Sequence, residues 1–389
     1  MTYSVHQHWD PLKVCAVGRS YPPEFYSFIT NSRVRSVIER IAEETEQDYQ
    51  NLIKLLHDLN VRTVRTNFDL PHSEYINNGV YHNPNNIMCP RDHMAMIGDK
   101  FYMPPVGLYR YWEDIAGADW GQCPTTLAEY LALDDSIKQE IKEFGLDAEQ
   151  LITQGDPGFK DIEYQVKQHN EIIYGTGINS AMTARIGRDL FHGSEMEDLD
   201  FYEKGTKTCY LNEQTVNQYL SDYRNHRLNT GGHTDATFCA VKPGLIVSLY
   251  DVQKYEETFP GWEVVYLPDQ SWTSVKPFLD LKEKNKGKWW VPGEELNDDF
   301  TNYVEEWFGH WVGYVEETVF DVNMLVVDQN NVICNNENDQ VFEAFERHGI
   351  TPHVCNFRHR YFWDGGIHCV TADIHRQGDQ QDYFSSGIR

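Results

Sequence analysis

The stretch NMLVVDQNNVICNNENDQVFEAFERHGITPHVCNF, residues 323–357, contains a complete small folding unit. Two apolar runs flank the polar residues 329–331, which predicts a β-hairpin with a tight turn. Residues 339–350 then have helical character and reach a stop signal at Gly349, before the β-type run at 351–357. The predicted order of elements is therefore a hairpin, a helix and a returning strand.

The same unit recurs along the chain. Further hairpins are predicted at 94–104, 181–193 and 236–250, and a weaker start at 10–20. The segment 34–60 reads as a long helix that leads into VRTVRT at 61–66. About five such repeats would form a circular array of αβ modules, each burying its faces against its neighbours. We therefore expect one α/β domain over 1–389, although length alone would suggest two or three.

Two segments do not fit the repeat, and both are rich in aromatic and acidic residues. They span about 105–160 and 269–312. We expect both to be insertions. We expect the second to close over a site and exclude water from it.

Composition restricts the partners of this chain. It has 60 acidic and 33 basic residues, a formal charge of -27 and no block of Lys or Arg, so nucleic acid and anionic membranes are poor partners. The N-terminus lacks a signal-peptide pattern, and no apolar run approaches a membrane span, which favours a soluble cytoplasmic protein. Eight cysteines without a C-x-x-C pair favour reduced thiols over a disulfide framework or a zinc site.

Five residues combine into a chemically useful set: Asp92 in MCPRDHM, Asp189 in IGRDLF, His233 and Asp235 in GGHTDATF, and Cys369 in DGGIHCVTADIHRQG. Taken singly, each has an ordinary structural explanation, since buried cysteine is common and aspartate is frequent in turns. Together they supply a thiolate nucleophile, a histidine that moves protons and a carboxylate that orients the histidine. Further carboxylates would hold a planar cation such as guanidinium. The set suits attack on a guanidino carbon.

The motifs that carry this set resemble those of the glycine amidinotransferase family, in the pentein superfamily. The resemblance runs almost end to end, through HWDPLKVCAVGR, PRDHMAMIGD, IGRDLF, HTDATFCAVKPGLIVS, NMLVVD and GGIHCVTADIHRQG. It implies a five-bladed αβ propeller, with five ββαβ modules around a pseudo-fivefold axis and an active site at the centre. It also implies transfer of an amidino group from arginine to an amine acceptor, with no metal or organic cofactor.

The resemblance assigns roles by motif position. Cys369 would be the nucleophile, His233 the general acid and base, and Asp189 the carboxylate partner of His233. Asp92 and Asp235 would grip the guanidinium of the donor, and Arg91 of the same P-R-D motif is placed with the substrate-binding residues. The implied cycle is ping-pong, with an amidino-cysteine intermediate and release of ornithine.

The chain departs from the family where glycine-accepting members bind the carboxylate of their acceptor. Val252 stands where they carry an arginine, with Lys254 nearby, and Glu316 and Glu317 align with a serine pair. A neutral residue and two acids disfavour an α-carboxylate. We therefore expect an amine acceptor other than glycine.

Two alternatives share these observations. A hydrolase resembling arginine deiminase needs the same cysteine, histidine and carboxylates, but water replaces the acceptor amine. A non-catalytic five-module propeller would act as a binding platform, and it predicts gaps in the residue set. A homodimer is expected from the resemblance alone.

Overall fold

The computed structural model of the protein describes residues 1–68, 87–105, 108, 123–194, 216–267, 291–307 and 321–384, except 125, 144–145, 231–232, 253, 292, 295 and 364. Within these ranges the strands form five three-stranded sheets. In each sheet one outer strand pairs antiparallel with the central strand, and the other pairs parallel with it. The repeat of a hairpin and a returning strand, predicted from the sequence, is confirmed.

The strands are numbered in chain order, and each sheet is given with its central strand in the middle. The first sheet is β15 (Thr371–Arg376), β1 (Leu12–Val17) and β2 (Arg62–Arg65). The others are β3 (Ala95–Ile97), β4 (Lys100–Met103) and β5 (Ile172–Tyr174); β6 (Thr183–Ile186), β7 (Asp189–Ser194) and β8 (Arg224–Asn229); β9 (Phe238–Lys242), β10 (Leu245–Ser248) and β11 (Glu263–Tyr266); and β12 (Leu325–Asp328), β13 (Asn331–Cys334) and β14 (Thr351–Val354).

Helical residues lie between the central strand and the parallel strand of each sheet, and in the third sheet the described helical residues are 216–219. The described α-helices are α1 (Ser32–Asp58), α2 (Leu127–Leu131), α3 (Asp135–Glu143), α4 (Ala148–Gln154), α5 (Lys160–Lys167), α6 (Tyr255–Thr258), α7 (Asp298–Trp307), α8 (Asp339–Arg347) and α9 (Arg360–Trp363). None of the described helices is both long and apolar enough to cross a membrane.

The module of residues 323–357 illustrates why the repeat folds. The side chain of Asn338 caps α8 by accepting from the Val341 N–H at 3.2 Å. Val341, Ala344 and Phe345 are buried on one face of α8, at helical spacing. Gly349, with φ of 66°, ends the helix in the left-handed region. The chain can then return as β14 beside β13.

The weak hairpin expected at 10–20 has a different partner from the others. Strand β1 pairs antiparallel with β15, the last of the described strands, with Val17 opposite Thr371. The two ends of the chain therefore complete one module together. Cys369 lies in a turn just before β15.

The two proposed insertions are described only in part. Helices α2, α3 and α4 pack a small apolar cluster of their own, which includes Tyr130, Ile141 and Leu151. In the second segment, Phe300 of α7 stacks on Phe362 at 6.0 Å, and Glu294 accepts from Arg40 of α1 at 2.8 Å. This described part packs on α1. The rest of the expected lid lies outside the described residues.

Candidate active site

In each sheet, a loop precedes the outer strand that pairs antiparallel with the central strand. These five loops are joined to one another by hydrogen bonds. They are residues 90–94, 179–182, 233–237, 321–324 and 365–370, which precede β3, β6, β9, β12 and β15. The Ser180 N–H donates to the Arg91 carbonyl at 3.1 Å, and the Thr234 N–H donates to the Ala181 carbonyl at 2.8 Å. These bonds join the first three loops.

The remaining bonds return to the first loop. Asn323 Nδ2 lies 3.4 Å from the Asp235 carbonyl oxygen, and Asn323 Oδ1 accepts from the His368 N–H at 2.9 Å. Arg91 Nε donates to the His368 carbonyl at 2.7 Å. Each loop is therefore linked to the next around a closed circuit, and residues 91, 92, 233, 235 and 369 are all within it.

Cys369 is enclosed in its loop. The residue is only 4% exposed, so its thiol is almost fully buried. A Cβ atom on Gly365 would lie 3.1 Å from Cys89 Sγ and 3.8 Å from Cys369 Cβ. The glycine therefore lets the chain pass close to both cysteines.

Asn323 contacts the Cys369 thiol directly, although no sequence motif marked it as a functional residue. Its Nδ2 lies 3.0 Å from Cys369 Sγ, and the residue is 1% exposed. The available signal was its position at the start of the NMLVVD motif, directly before a buried strand.

Asp235 and His368 form a buried pair beside the thiol. His368 Nδ1 lies 2.7 Å from Asp235 Oδ2, which is itself 3.9 Å from Cys369 Sγ. Burial acts to raise the pKa of Asp235, but the His368 hydrogen bond and the neighbouring charges outweigh it, so that the pKa is lowered. Burial, helped by the Arg91 charge, lowers the pKa of His368 to about 4. Because an ionised carboxylate only accepts, the neutral imidazole carries its proton on Nδ1.

His233 directly precedes a short 3₁₀ turn at Thr234–Ala236 and is half-buried. The turn places Asp235 two residues after it, and the His233 charge contributes to the lowered pKa of Asp235. The Thr234 side chain donates to the Met182 carbonyl at 3.0 Å, which fixes the turn against the start of β6. His233 therefore lies at the loop circuit with Asp235.

Asp189 does not lie there, and its predicted role as the partner of His233 is corrected. It follows the turn of the β6–β7 hairpin, opposite Ile186, whereas Thr234 contacts the other end of that hairpin. Arg224 grips both oxygens of its carboxylate, with Nε–Oδ1 of 2.9 Å and Nη2–Oδ2 of 2.6 Å, and His226 Nε2 lies 2.7 Å from Oδ1. Asp189 is thus a fully buried anchor for β8.

Arg91 and Asp92 share a 3₁₀ turn, Pro90–His93, but face different surroundings. Arg91 is fully buried, and its Nε donates to the carbonyls of His368 and Thr371 at 2.7 and 2.9 Å. The substrate-binding role predicted for Arg91 is therefore corrected to support of the Cys369 loop. Asp92 is half-buried in the loop circuit, and its role in substrate binding stays a prediction.

A buried cluster of charges lies next to this turn. Asp373 of β15 accepts from Arg185 at 2.7 and 2.9 Å and from Arg376 at 2.7 Å, with Arg91 Nη2 at 3.6 Å. Burial raises the pKa of Asp373, but the three guanidinium groups outweigh it and hold the pKa well below its ordinary value. The cluster ties β15 to β6 and holds three guanidinium groups around one carboxylate.

The residues that depart from the family are only partly described. Val252 is buried in an apolar cluster with Phe238 and Tyr255, so it presents no cation to a substrate. Lys254 has φ of 48° and precedes α6. Glu316 and Glu317 lie outside the described residues.

Comparison with known proteins identifies the relatives of this chain. No family model matches it. It is 23% identical to the mitochondrial glycine amidinotransferase of Xenopus tropicalis over 418 residues, which cover 98% of this chain and 84% of that protein. It is also 23% identical to the L-arginine:L-lysine amidinotransferase of Pseudomonas savastanoi pv. phaseolicola over 314 residues, covering 76% and 68%. The chain is homologous to the amidinotransferases. The resemblance inferred from the motifs is confirmed.

The fold agrees with that of solved relatives. The inosamine-phosphate amidinotransferase of Streptomyces griseus superposes with a TM-score of 0.56 at 16% identity, over 98% of this chain and 99% of that one. An amidinotransferase from Microseira wollei, in the saxitoxin biosynthetic pathway, gives a TM-score of 0.55 at 16% identity, with the same coverage. The predicted fold class, a pentein-type propeller of five αβ modules, is confirmed.

Proposed function

We propose that this protein is an amidinotransferase that moves the amidino group of L-arginine to an amine acceptor through an amidino-cysteine on Cys369. The observation that carries the proposal is the Asp235 carboxylate. It is 5% exposed, and Oδ1 has no hydrogen-bond partner among the described residues, while Oδ2 lies 3.9 Å from Cys369 Sγ. An unsatisfied buried acceptor of this kind costs about 1–3 kcal/mol, which a bound guanidinium would recover.

In the first half-reaction the donor's guanidinium lies between Asp235 and Asp92. The Cys369 thiolate attacks the guanidino carbon, and a sulfur–carbon bond forms. The carbon–nitrogen bond to the ornithine part then breaks, and His233 delivers a proton to the departing nitrogen. Ornithine leaves, and Cys369 keeps the amidino group.

In the second half-reaction an acceptor amine takes the place of ornithine. The amine attacks the amidino carbon and gives a proton to His233, and the carbon–sulfur bond breaks to restore the thiolate. Enclosure of Cys369 supports transfer over hydrolysis, because it limits the access of water to the intermediate.

The acceptor is proposed to be an amine other than glycine. The buried Val252 supplies no positive charge for an α-carboxylate. The name of one relative pairs arginine with lysine, so an aliphatic side-chain amine is the first class to test.

The test is product analysis with arginine and a panel of amines. We expect ornithine and one guanidino product from the wild-type protein, and none from Cys369→Ala or His233→Ala. Citrulline formed without dependence on an added amine would instead establish the hydrolase alternative. Unchanged arginine would overturn the assignment of the donor.

The single domain over 1–389, the homodimer, the cytoplasmic location and the ping-pong order remain predictions. Gel filtration with light scattering measures the oligomeric state. The order of the steps follows from initial rates, since a ping-pong cycle gives parallel double-reciprocal plots.

A further inference from the structure

We propose that Asn323 is a further catalytic residue, whose side-chain amide donates a hydrogen bond to Cys369 Sγ and holds that sulfur as a thiolate. The inference rests on the proposed function, because it takes Cys369 as the nucleophile. The donor to the thiol comes from a different module, just before β12.

The hydrogen bonds of Asn323 fix which way its amide faces. One terminal atom lies 2.9 Å from the His368 backbone nitrogen and 3.4 Å from the Cys369 backbone nitrogen. Both nitrogens are donors, so this atom is the oxygen. The other terminal atom is therefore the NH₂ group, and it points at Cys369 Sγ at 3.0 Å and at the Asp235 carbonyl at 3.4 Å.

The amide is rigidly supported. The Asn323 carbonyl accepts from Asn335 Nδ2 at 2.7 Å, and Asn335 Oδ1 accepts from the Ile367 N–H at 3.0 Å. Two asparagines thus join β12 and β13 to the loop that carries the thiol. A donor held in place in this way stabilises the developed charge without first reorganising.

Some of the other charged and titratable groups around the thiol favour the Cys369 thiolate, and others oppose it. The Asp235 carboxylate opposes the thiolate from 3.9 Å, whereas the Arg91 guanidinium, which bonds the carbonyls of His368 and Thr371, favours it. His368 contributes no positive charge at neutral pH, because burial lowers its pKa to about 4. Cys89, across Gly365, and Tyr49 also face this region, and burial raises the pKa of Tyr49 well above its ordinary value.

The donor has a use in both half-reactions. It favours the thiolate that attacks the guanidino carbon. When the acceptor amine expels Cys369, the carbon–sulfur bond breaks and the electron pair returns to the sulfur. The same N–H group then stabilises the negative charge of the thiolate by a hydrogen bond.

The test measures thiol ionisation without substrate, so its outcome is separate from that of the transfer assay. Asn323→Asp keeps an acceptor for the two backbone N–H groups and removes the donor to sulfur. The matched control is Asn335→Asp. It makes the same chemical change in a residue that bonds the Asn323 carbonyl, one hydrogen bond further from the thiol. Alkylation of Cys369 by iodoacetamide is followed against pH by peptide mass spectrometry, with circular dichroism to verify folding.

For Asn323→Asp we expect the alkylation midpoint to rise by at least about one pH unit, a roughly tenfold loss of thiolate at neutral pH. Asn335→Asp should keep the wild-type midpoint. A wild-type midpoint in Asn323→Asp, or an equal rise in the control, would overturn the proposal.

A second measurement uses the wild-type protein and does not depend on the folding of a variant. In protein labelled with ¹⁵N-asparagine, one side-chain amide resonance should shift with the midpoint of Cys369 alkylation and stop shifting in Cys369→Ala. The absence of such a resonance would contradict the hydrogen bond.

Discussion

Replacement of Asp189 by asparagine separates its observed structural role from the catalytic role that its motif suggested. The Asp189 carboxylate is fully buried and receives two bonds from Arg224 and one from His226. Loss of one partner of a buried ion pair destabilises a protein by about 3–5 kcal/mol. Arg224 is about one-third exposed and keeps a second carboxylate, Asp382, at 2.6 Å. We therefore expect Asp189→Asn to lower the free energy of unfolding by about 2–3 kcal/mol.

The assay combines urea unfolding with steady-state transfer kinetics, normalised to folded protein. The matched control is Asp382→Asn, which removes the exposed partner of Arg224 and should be much less destabilising. We expect kcat to be unchanged in both variants. Loss of an aspartate that orients a catalytic histidine lowers kcat on the order of 10⁴-fold. Such a fall in Asp189→Asn, with stability intact, would contradict the structural role of Asp189.

Three further predictions concern the loop that carries the thiol. Because the pKa of His368 is lowered from 6.5 to about 4 in the folded protein, the unfolded chain binds the proton more readily. The free energy of unfolding should therefore fall as the pH drops from 6.5 to about 4. Urea unfolding of His368→Gln should show a shallower pH dependence over this range. Arg91→Ala should lower the free energy of unfolding by at least about 3 kcal/mol, since it removes the donor to two buried carbonyls and a positive charge 3.6 Å from Asp373. Unchanged stability would contradict the supporting role. Gly365→Ala would place a Cβ 3.1 Å from Cys89 Sγ and should slow alkylation of Cys369; adding Cys89→Ala should restore the rate, and failure to do so would locate the effect elsewhere.

Hairpins and helices were predictable because their signals are local. The turn at 329–331 and the helix stop at Gly349 depend on nearby residues alone, and the structure has both. The pairing of β1 with β15 joins residues more than 350 positions apart, and no local signal contains it. This pairing could be inferred only from the repeat as a whole, because the first module lacks one strand of its hairpin.

Motifs with reactive groups predicted some of the loops that come together in the candidate site. They did not predict which of their residues stabilise the fold. Arg91 and Asp189 have charged side chains next to catalytic-type motifs, yet both are buried and bonded to the fold. Their roles depend on which way a side chain points from its turn, and this is set by tertiary contacts. Asn323 lacked a signal for the opposite reason, because a neutral amide before a strand is ordinary until the thiol beside it is known.

The amidino-cysteine intermediate is tested most directly by mass spectrometry after brief incubation with arginine alone, followed by peptide mapping. We expect the protein to gain one amidino group on Cys369, which one amine of a panel then discharges and which water discharges only slowly. An amidino group on another residue, or consumption of arginine with no covalent intermediate, would contradict the proposed intermediate.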